Sequence, residues 1–200
     1  MMRYNPDNVS REIGPDGLEH MYVNGALAIR IFVIFALAYV MSYAFRAINA
    51  VIAQPLVAEL GLSASQLGFL ASAYFLSFAV MQLPVGVMLD RYGPRRVEAV
   101  LIGFAALGAV LFAVAESYAV LWLGRALIGV GVSACLMAAV KAYSLYFRPH
   151  LQASLSSWML VAGSLGALTV TTPVEAALPY LGWRGVFGLA AVLCVLAGLA

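Results

Sequence analysis

Charge is what this sequence has least of. Only 10 % of its 200 residues are Asp, Glu, Lys or Arg, against about 25 % in soluble domains, which excludes an ordinary water-soluble globule. The net charge is a small +2 and the charged residues gather in a few short segments, so no nucleic-acid surface is indicated. Two cysteines, Cys135 and Cys194, stand in apolar stretches without metal-ligand spacing and read as small packing residues. The two histidines, His20 and His150, fall in the polar N-terminal segment and in a loop. No cluster of nucleophile, metal ligands or paired acids is found within the apolar runs, so an enzyme embedded in a membrane has no constellation to work with. No cofactor is indicated either.

What the chain has instead is apolar length. Hydrophobic residues make up 64 % of it, and the 30 residues from Leu60 to Leu89 contain no Asp, Glu, Lys or Arg; about 20 apolar residues suffice to cross a hydrocarbon core of about 30 Å. Such runs recur and predict an all-α membrane protein with six helices, over about 26–57, 65–88, 97–115, 119–143, 153–172 and 185–200. Residues 1–25 are polar, broken by Pro6, Gly14, Pro15 and Gly17, with charges of alternating sign. That is not the pattern of a signal peptide, and a disordered cytoplasmic tail is expected. Gly61, Ser63 and Ser65 predict a short turn with a Ser cap. Gly103 and Gly108 are expected contact points on helix three, and Ala162/Gly166 and Gly163/Ala167 form small-x-x-x-small pairs on helix five. Arg30, Arg91, Arg95, Arg96, Lys141 and Arg148 fall on one side of the predicted topology and Arg184 alone on the other, which places the N-terminus on the cytoplasmic side. No carboxylate is expected within a span, Glu175 lying at the outer end of helix five, so this chain offers no titrating group for proton coupling.

Arg46 stands apart from the loops. It lies 16 residues beyond Arg30 and 13 before Glu59, too far from either interface to reach water comfortably. At roughly 100° of rotation per residue, Tyr39, Ser42, Tyr43 and Asn49 all fall within about 60° of it around helix one. A polar stripe on a spanning helix faces a bundle interior or an aqueous cavity. The guanidinium fork matches carboxylate and phosphate groups, so Arg46, with Asn49, Tyr43, Tyr39, Ser42 and Tyr74 of helix two, makes a candidate contact set for a small organic anion. The alternative is that Arg46 is held permanently by a carboxylate outside this chain.

The segment Gly86-Val-Met-Leu-Asp-Arg-Tyr-Gly-Pro-Arg-Arg-Val97 carries a family resemblance. Gly86, Asp90, Arg91, Gly93, Arg95 and Arg96 match the loop signature between the second and third helices of the major facilitator superfamily of transporters. The resemblance implies an N-terminal six-helix half, built as a three-plus-three inverted repeat and rocking with a second half around a midplane site. In that family the Asp docks against a helix start in the other half, which would make Asp90 and Arg95 gating residues; the plainer alternative is a solvated loop that only sets orientation. Leu123 to Gly131 resembles the family's helix-four motif. It assigns Arg125 and Gly129 either to coupling or, the reading favoured here, to packing. Leu181 to Phe187 resembles the Gly-Trp-Arg-x-x-Phe opening of the sixth helix, with Trp183 as an interfacial anchor, and Arg46 with Asn49 is similar to an Arg/Asn pair in organic-anion branches. The chain stops about 16 residues into that sixth helix. A truncated piece is therefore expected rather than a half-sized transporter pairing with itself. Its partners would be the bilayer, a C-terminal six-helix half, a small solute and a coupling ion. The function so implied is secondary transport of an anionic organic solute across the cytoplasmic membrane. The rivals are a receptor or scaffold on the same fold and a carrier of neutral solutes with Arg46 purely structural.

Overall fold

The computed structural model describes residues 9–13, 19–23 and 25–199. Two strands, β1 (Val9–Ile13) and β2 (Glu19–Val23), precede seven helices: α1 (Gly25–Val51), α2 (Ala53–Leu60), α3 (Ala64–Tyr92), α4 (Pro94–Ala113), α5 (Tyr118–Gly131), α6 (Cys135–Tyr146) and α7 (Pro149–Leu199). The strands correct the expectation of a disordered segment: they pair antiparallel, Val9 opposite Val23 and Ile13 opposite Glu19. Pro15 and Gly17, read above as helix breakers, lie outside the described residues.

Among the described residues, five stretches are long and apolar enough to cross a membrane: Gly25–Val51, Ala64–Tyr92, Pro94–Ala113, Tyr118–Tyr146 and Pro149–Leu199. They correspond to six expected spans because α7 holds two, joined at Gly182. The predicted end of helix five at residue 172 is wrong. The helix runs on through Pro173 and Pro179 and turns only at Gly182, whose φ of 63° is a conformation that glycine alone adopts without strain. Pro interrupts a spanning helix less than a soluble one, because neighbours re-satisfy the freed backbone groups.

Local chemistry explains the other boundaries. Pro55 cannot donate to the Val51 carbonyl and its ring crowds it, and the expected single helix over 26–57 accordingly breaks at Ile52 into α1 and α2. Ser63 caps α3: its hydroxyl accepts from the Gln66 N–H (3.2 Å) while the Gln66 side chain accepts from the Ser63 N–H (2.8 Å), the reciprocal pairing of a capping box. Gly93, with φ 79°, turns the chain into α4, and Pro94 occupies its first turn. The fourth expected span is divided at residues 132–134, where the Ser133 hydroxyl donates to the Val130 carbonyl (2.6 Å). The Ser133 carbonyl accepts from Gln82 of α3 (3.3 Å).

The helices are apolar on most sides, as buried or membrane helices are. Phe69, Leu76, Leu83 and Leu168 face outward, while Ala105, Ala109, Ala138, Ala139 and Ala142 fill the interior. Small residues set the close crossings. Gly108 of α4 and Gly124 of α5 sit so near that a Cβ on either would come within 2.7–2.9 Å of the other's carbonyl oxygen. Gly103, in contrast, meets nothing within 4 Å and is no contact point. On α7, Gly163 lies against Tyr39 and Gly166 against Val40 of α1, so one glycine of each predicted pair stands at the α1 crossing.

At the end of the bundle holding the α3–α4 turn, Asp90 pairs with Lys141 of α6 (2.8 Å), and the start of α1 lies beside Pro94, Arg95 and Tyr146. At the opposite end Glu59 of α2 pairs with Arg184. There the Trp183 indole N–H donates to Glu59 (2.6 Å), and Arg184 donates to the Ala115 carbonyl (3.1 Å). The Arg184 guanidinium first, and the Trp183 donor second, hold the Glu59 carboxyl below its ordinary value. Trp183 is only 3 % exposed and meets Phe112 edge-on at 5.7 Å. It is an internal clasp, not the interfacial anchor expected.

Candidate functional site

The α1 stripe faces α3. Arg46 is half-buried, and its Nε–H donates to the Tyr74 hydroxyl (3.1 Å), which in turn donates to the Ser42 carbonyl (3.2 Å). Its guanidinium lies over three rings, Tyr43 and Phe78 at 5.0 Å and Tyr74 at 5.8 Å, a desolvated setting in which cation–π attraction is strongest. The Tyr39 hydroxyl reaches that of Tyr43 at 3.4 Å, so aromatic hydroxyls lead along α1 towards Arg46. Among the described residues no carboxylate lies within ion-pair distance of Arg46. A guanidinium with one donor engaged retains several others in a planar fork.

The predicted set is only partly assembled. Arg46, Tyr43 and Tyr74 come together, Tyr39 joins through Tyr43, and Asn49 is half-buried one turn further on. Ser42 contributes its carbonyl alone; its hydroxyl is buried and finds no partner among the described residues. Phe78 was missed in the sequence, although it stands four residues from Tyr74 and therefore on the same face of α3.

Arg125 also lies against Tyr74. It is 1 % exposed, its Nη1–H donates to the Phe45 carbonyl (3.1 Å), and its guanidinium is 5.7 Å from the Tyr74 and Phe112 rings and 5.9 Å from Phe187. It is enclosed by packed side chains from α1, α3, α4 and α7. Gly129, one turn along α5, allows this arrangement, since a Cβ there would stand 2.2 Å from the Ser77 hydroxyl and 2.3 Å from the Tyr74 carbonyl.

The loop residues are laid out at the rim. Asp90 is exposed and engaged by Lys141, the Arg91 guanidinium lies over the Tyr92 ring at 5.4 Å, Gly93 forms the turn, and Arg95 and Arg96 are exposed. Gly86 is half-buried and meets nothing within 4 Å of its would-be Cβ. One carboxylate contradicts the expectation that none lies within a span. Glu98, on the first turns of α4, is 7 % exposed, and neither of its oxygens has a hydrogen-bond partner among the described residues.

Comparison with known proteins decides the family. The model of the Major Facilitator Superfamily matches residues 35–200. The chain belongs to this superfamily. It is 32 % identical over 159 residues to the "Probable sulfoacetate transporter SauU" of Cupriavidus necator, covering 77 % of this chain and 36 % of that protein. The "Probable L-galactonate transporter" of Escherichia coli K12 is 31 % identical over 130 residues, covering 64 % and 28 %. The "Hexuronate transporter" of the same organism is 29 % identical over 171 residues, covering 82 % and 38 %. The chain thus spans about a third of the length of these superfamily relatives. Among solved structures, the inward-open xylose transporter XylE of E. coli superposes with a TM-score of 0.71 at 19 % identity, over 86 % of this chain and 47 % of XylE. The superfamily fold and the multi-pass membrane architecture follow: the helices above are an N-terminal superfamily half, and the family is one of transporters, not enzymes.

Proposed function

We propose that this chain is the N-terminal six-span part of a secondary transporter that carries a small organic anion across the cytoplasmic membrane by alternating access, and that Arg46 contacts the solute. One observation carries the reading: an arginine in the middle of a spanning helix, turned into the bundle, caged by Tyr43, Tyr74 and Phe78 and lacking an acidic partner among the described residues. A buried charge without a counterion is strongly disfavoured, and an anionic solute supplies one. The solutes in the relatives' names, sulfoacetate, L-galactonate and a hexuronate, are anions at neutral pH. In this reading Tyr43, Tyr74 and Asn49 orient the solute, while Tyr39 and Ser42 support them from behind. Asp90, Arg91, Arg95 and Arg96 form the cytoplasmic rim, with the Asp90–Lys141 pair as its fastening and the N-terminus on the same side. A second reading, a carrier of neutral solutes in which Arg46 is structural, is supported by the Tyr74 hydrogen bond and the ring contacts.

The discriminating measurement is uptake into proteoliposomes by the intact protein, with sulfoacetate, L-galactonate and a hexuronate tested beside a neutral hexose. Arg46→Ala is expected to weaken anion transport by about 10- to 100-fold, the loss of one charge-assisted contact of about 1.5–3 kcal/mol, and Arg46→Lys to restore only part of it. Undiminished anion uptake by Arg46→Ala would remove the arginine from the site and leave the structural reading.

A further inference from the structure

Glu98 is a buried acid that nothing in the solute site uses. It sits on the first turns of α4, at the arginine-rich end of the bundle. Both carboxyl oxygens are sealed from solvent and neither meets a conventional hydrogen-bond donor among the described residues. The polar group set against it is the Cys135 thiol at the start of α6, a weak donor. Tyr143 of α6 is also near, but its hydroxyl is directed to the Met159 sulfur at 3.5 Å. Cys194 of α7 stands behind Cys135. The cavity beside Glu98 is apolar on the α1 side, with Ile31, Phe35 and Ala38, and at Val23 of β2. Among the described residues no cation is paired with the carboxyl. A carboxyl group in such surroundings is poorly solvated and unpaired.

The same residue lines a cavity of about 290 Å³, away from Arg46, between α1, α4, α6 and the second arm of α7. Tyr146 and Arg95 border this cavity and are exposed. Arg95 precedes Glu98 by three residues on α4, so the two side chains belong to neighbouring turns of one face. The carboxyl therefore has two environments within reach. One is dry, against Cys135, and favours the acid; the other is wet, beside a guanidinium, and favours the carboxylate.

We propose that Glu98 is a proton-binding site: its carboxyl keeps a proton while the cavity beside it is dry, and transfers that proton to water, becoming a carboxylate turned to Arg95, when the cavity hydrates. The O–H bond of the acid breaks, a water molecule receives the proton, and no other reactant is needed. Linkage of this proton to solute movement rests on the transport reading above; proton binding itself does not.

Two measurements separate these layers. The first needs no solute. Infrared spectra of the intact protein in detergent, recorded across a pH titration, are expected to show the carbonyl stretch of a protonated carboxylic acid persisting at neutral pH, where exposed glutamates are ionised. Glu98→Gln, close in shape to the neutral acid, removes that band, and Glu98→Asp, which keeps a carboxyl, moves it without abolishing it. Identical spectra for the three proteins at every pH would overturn the site, and the Asp variant decides the matter if the Gln variant does not fold. The second uses proteoliposomes loaded with a pH-sensitive dye and driven by a hexuronate gradient. Glu98→Gln is expected to lose hexuronate-dependent proton movement while retaining hexuronate counterflow; proton movement equal to that of the unaltered protein would overturn the linkage. Undiminished anion uptake by Arg46→Ala, with the infrared band intact, would locate the failure in the solute reading and leave the proton site standing.

Discussion

Two arginines share one tyrosine ring, and they are held in different ways. Arg46 and Arg125 lie 5.8 and 5.7 Å from the Tyr74 centroid. Arg125 is closed in by four helices and gives a hydrogen bond to the Phe45 carbonyl, the backbone of the residue before Arg46. Arg46 is only half-buried and gives its hydrogen bond to a side-chain hydroxyl. Both guanidiniums lie against rings and keep donors unengaged, the buried Arg125 Nε among them. What sets them apart is exposure and anchorage, Arg125 sealed and tied to main chain, Arg46 half open and tied to a tyrosine.

The comparison breaks most easily at Arg125. Arg125→Ala empties a fully packed site and removes a hydrogen bond to the Phe45 carbonyl, which stays engaged within α1. It is expected to lower stability by about 3–5 kcal/mol, as large truncations in cores do, with a matching loss in thermal unfolding and membrane expression. Arg125→Met, which keeps most of the volume and removes the charge, should recover much of that loss, because a buried charge replaced by a well-packed apolar side chain is often tolerated. Equal loss in both variants would mean that the charge, not the packing, is what the site requires.

Gly129→Ala comes next. The new methyl would meet the Tyr74 carbonyl, which is backbone and cannot swing aside; a loss of about 1–3 kcal/mol in unfolding experiments, typical of overpacking, should be accompanied by weaker anion uptake, since Tyr74 moves with its strand of contacts. Tyr74→Phe sharpens the contrast further. It keeps the ring for both arginines but deletes the hydroxyl that Arg46 alone uses, so anion affinity should fall about fivefold, near 1 kcal/mol, while Arg125-dependent stability stays unchanged. Measured side by side in uptake and unfolding, the two readouts should separate.

The smallest effect belongs to the Glu59 clasp. Because Arg184 and Trp183 hold its carboxyl below the ordinary range, its stabilising contribution is present above the usual carboxylate pKa and is lost as pH falls through the lowered value. Trp183 emission, followed in a Trp122→Phe, Trp158→Phe background, should stay constant from neutral pH down to about 4.3, the unperturbed glutamate value, and change only in stronger acid. A change already complete nearer neutrality would show that the clasp does not hold Glu59 ionised.

These residues also show what could be read before any coordinates. Arg46 and Arg125 stand out in the sequence because a charge within an apolar run has few innocent explanations, and the 100° rotation per residue places Tyr43 and Tyr39 beside Arg46 without further help. Phe78 is different: one more phenylalanine in an apolar helix carries no mark distinguishing a ring over a cation from a ring in lipid. Ser42 is on the expected stripe, but the pattern carries no sign that its hydroxyl is buried without a partner among the described residues. Glu98 was overlooked for another reason, its place two residues after Arg96, where it reads as one more member of a solvated rim. Boundaries failed where glycine, serine or proline permits a bend without requiring one, as at Ile52, at residues 132–134 and between Thr172 and Gly182.

The interruption at residues 132–134 divides the fourth span into two rods. Arg125 and Gly129 ride on the first, Cys135 and Lys141 on the second, and the short turn between them is held by the Ser133 hydroxyl on Val130 and by the Gln82 contact. The aromatic cage at the centre and the wall facing Glu98 at the mouth are thus carried by separate rods of one span, each with its own ladder of backbone bonds.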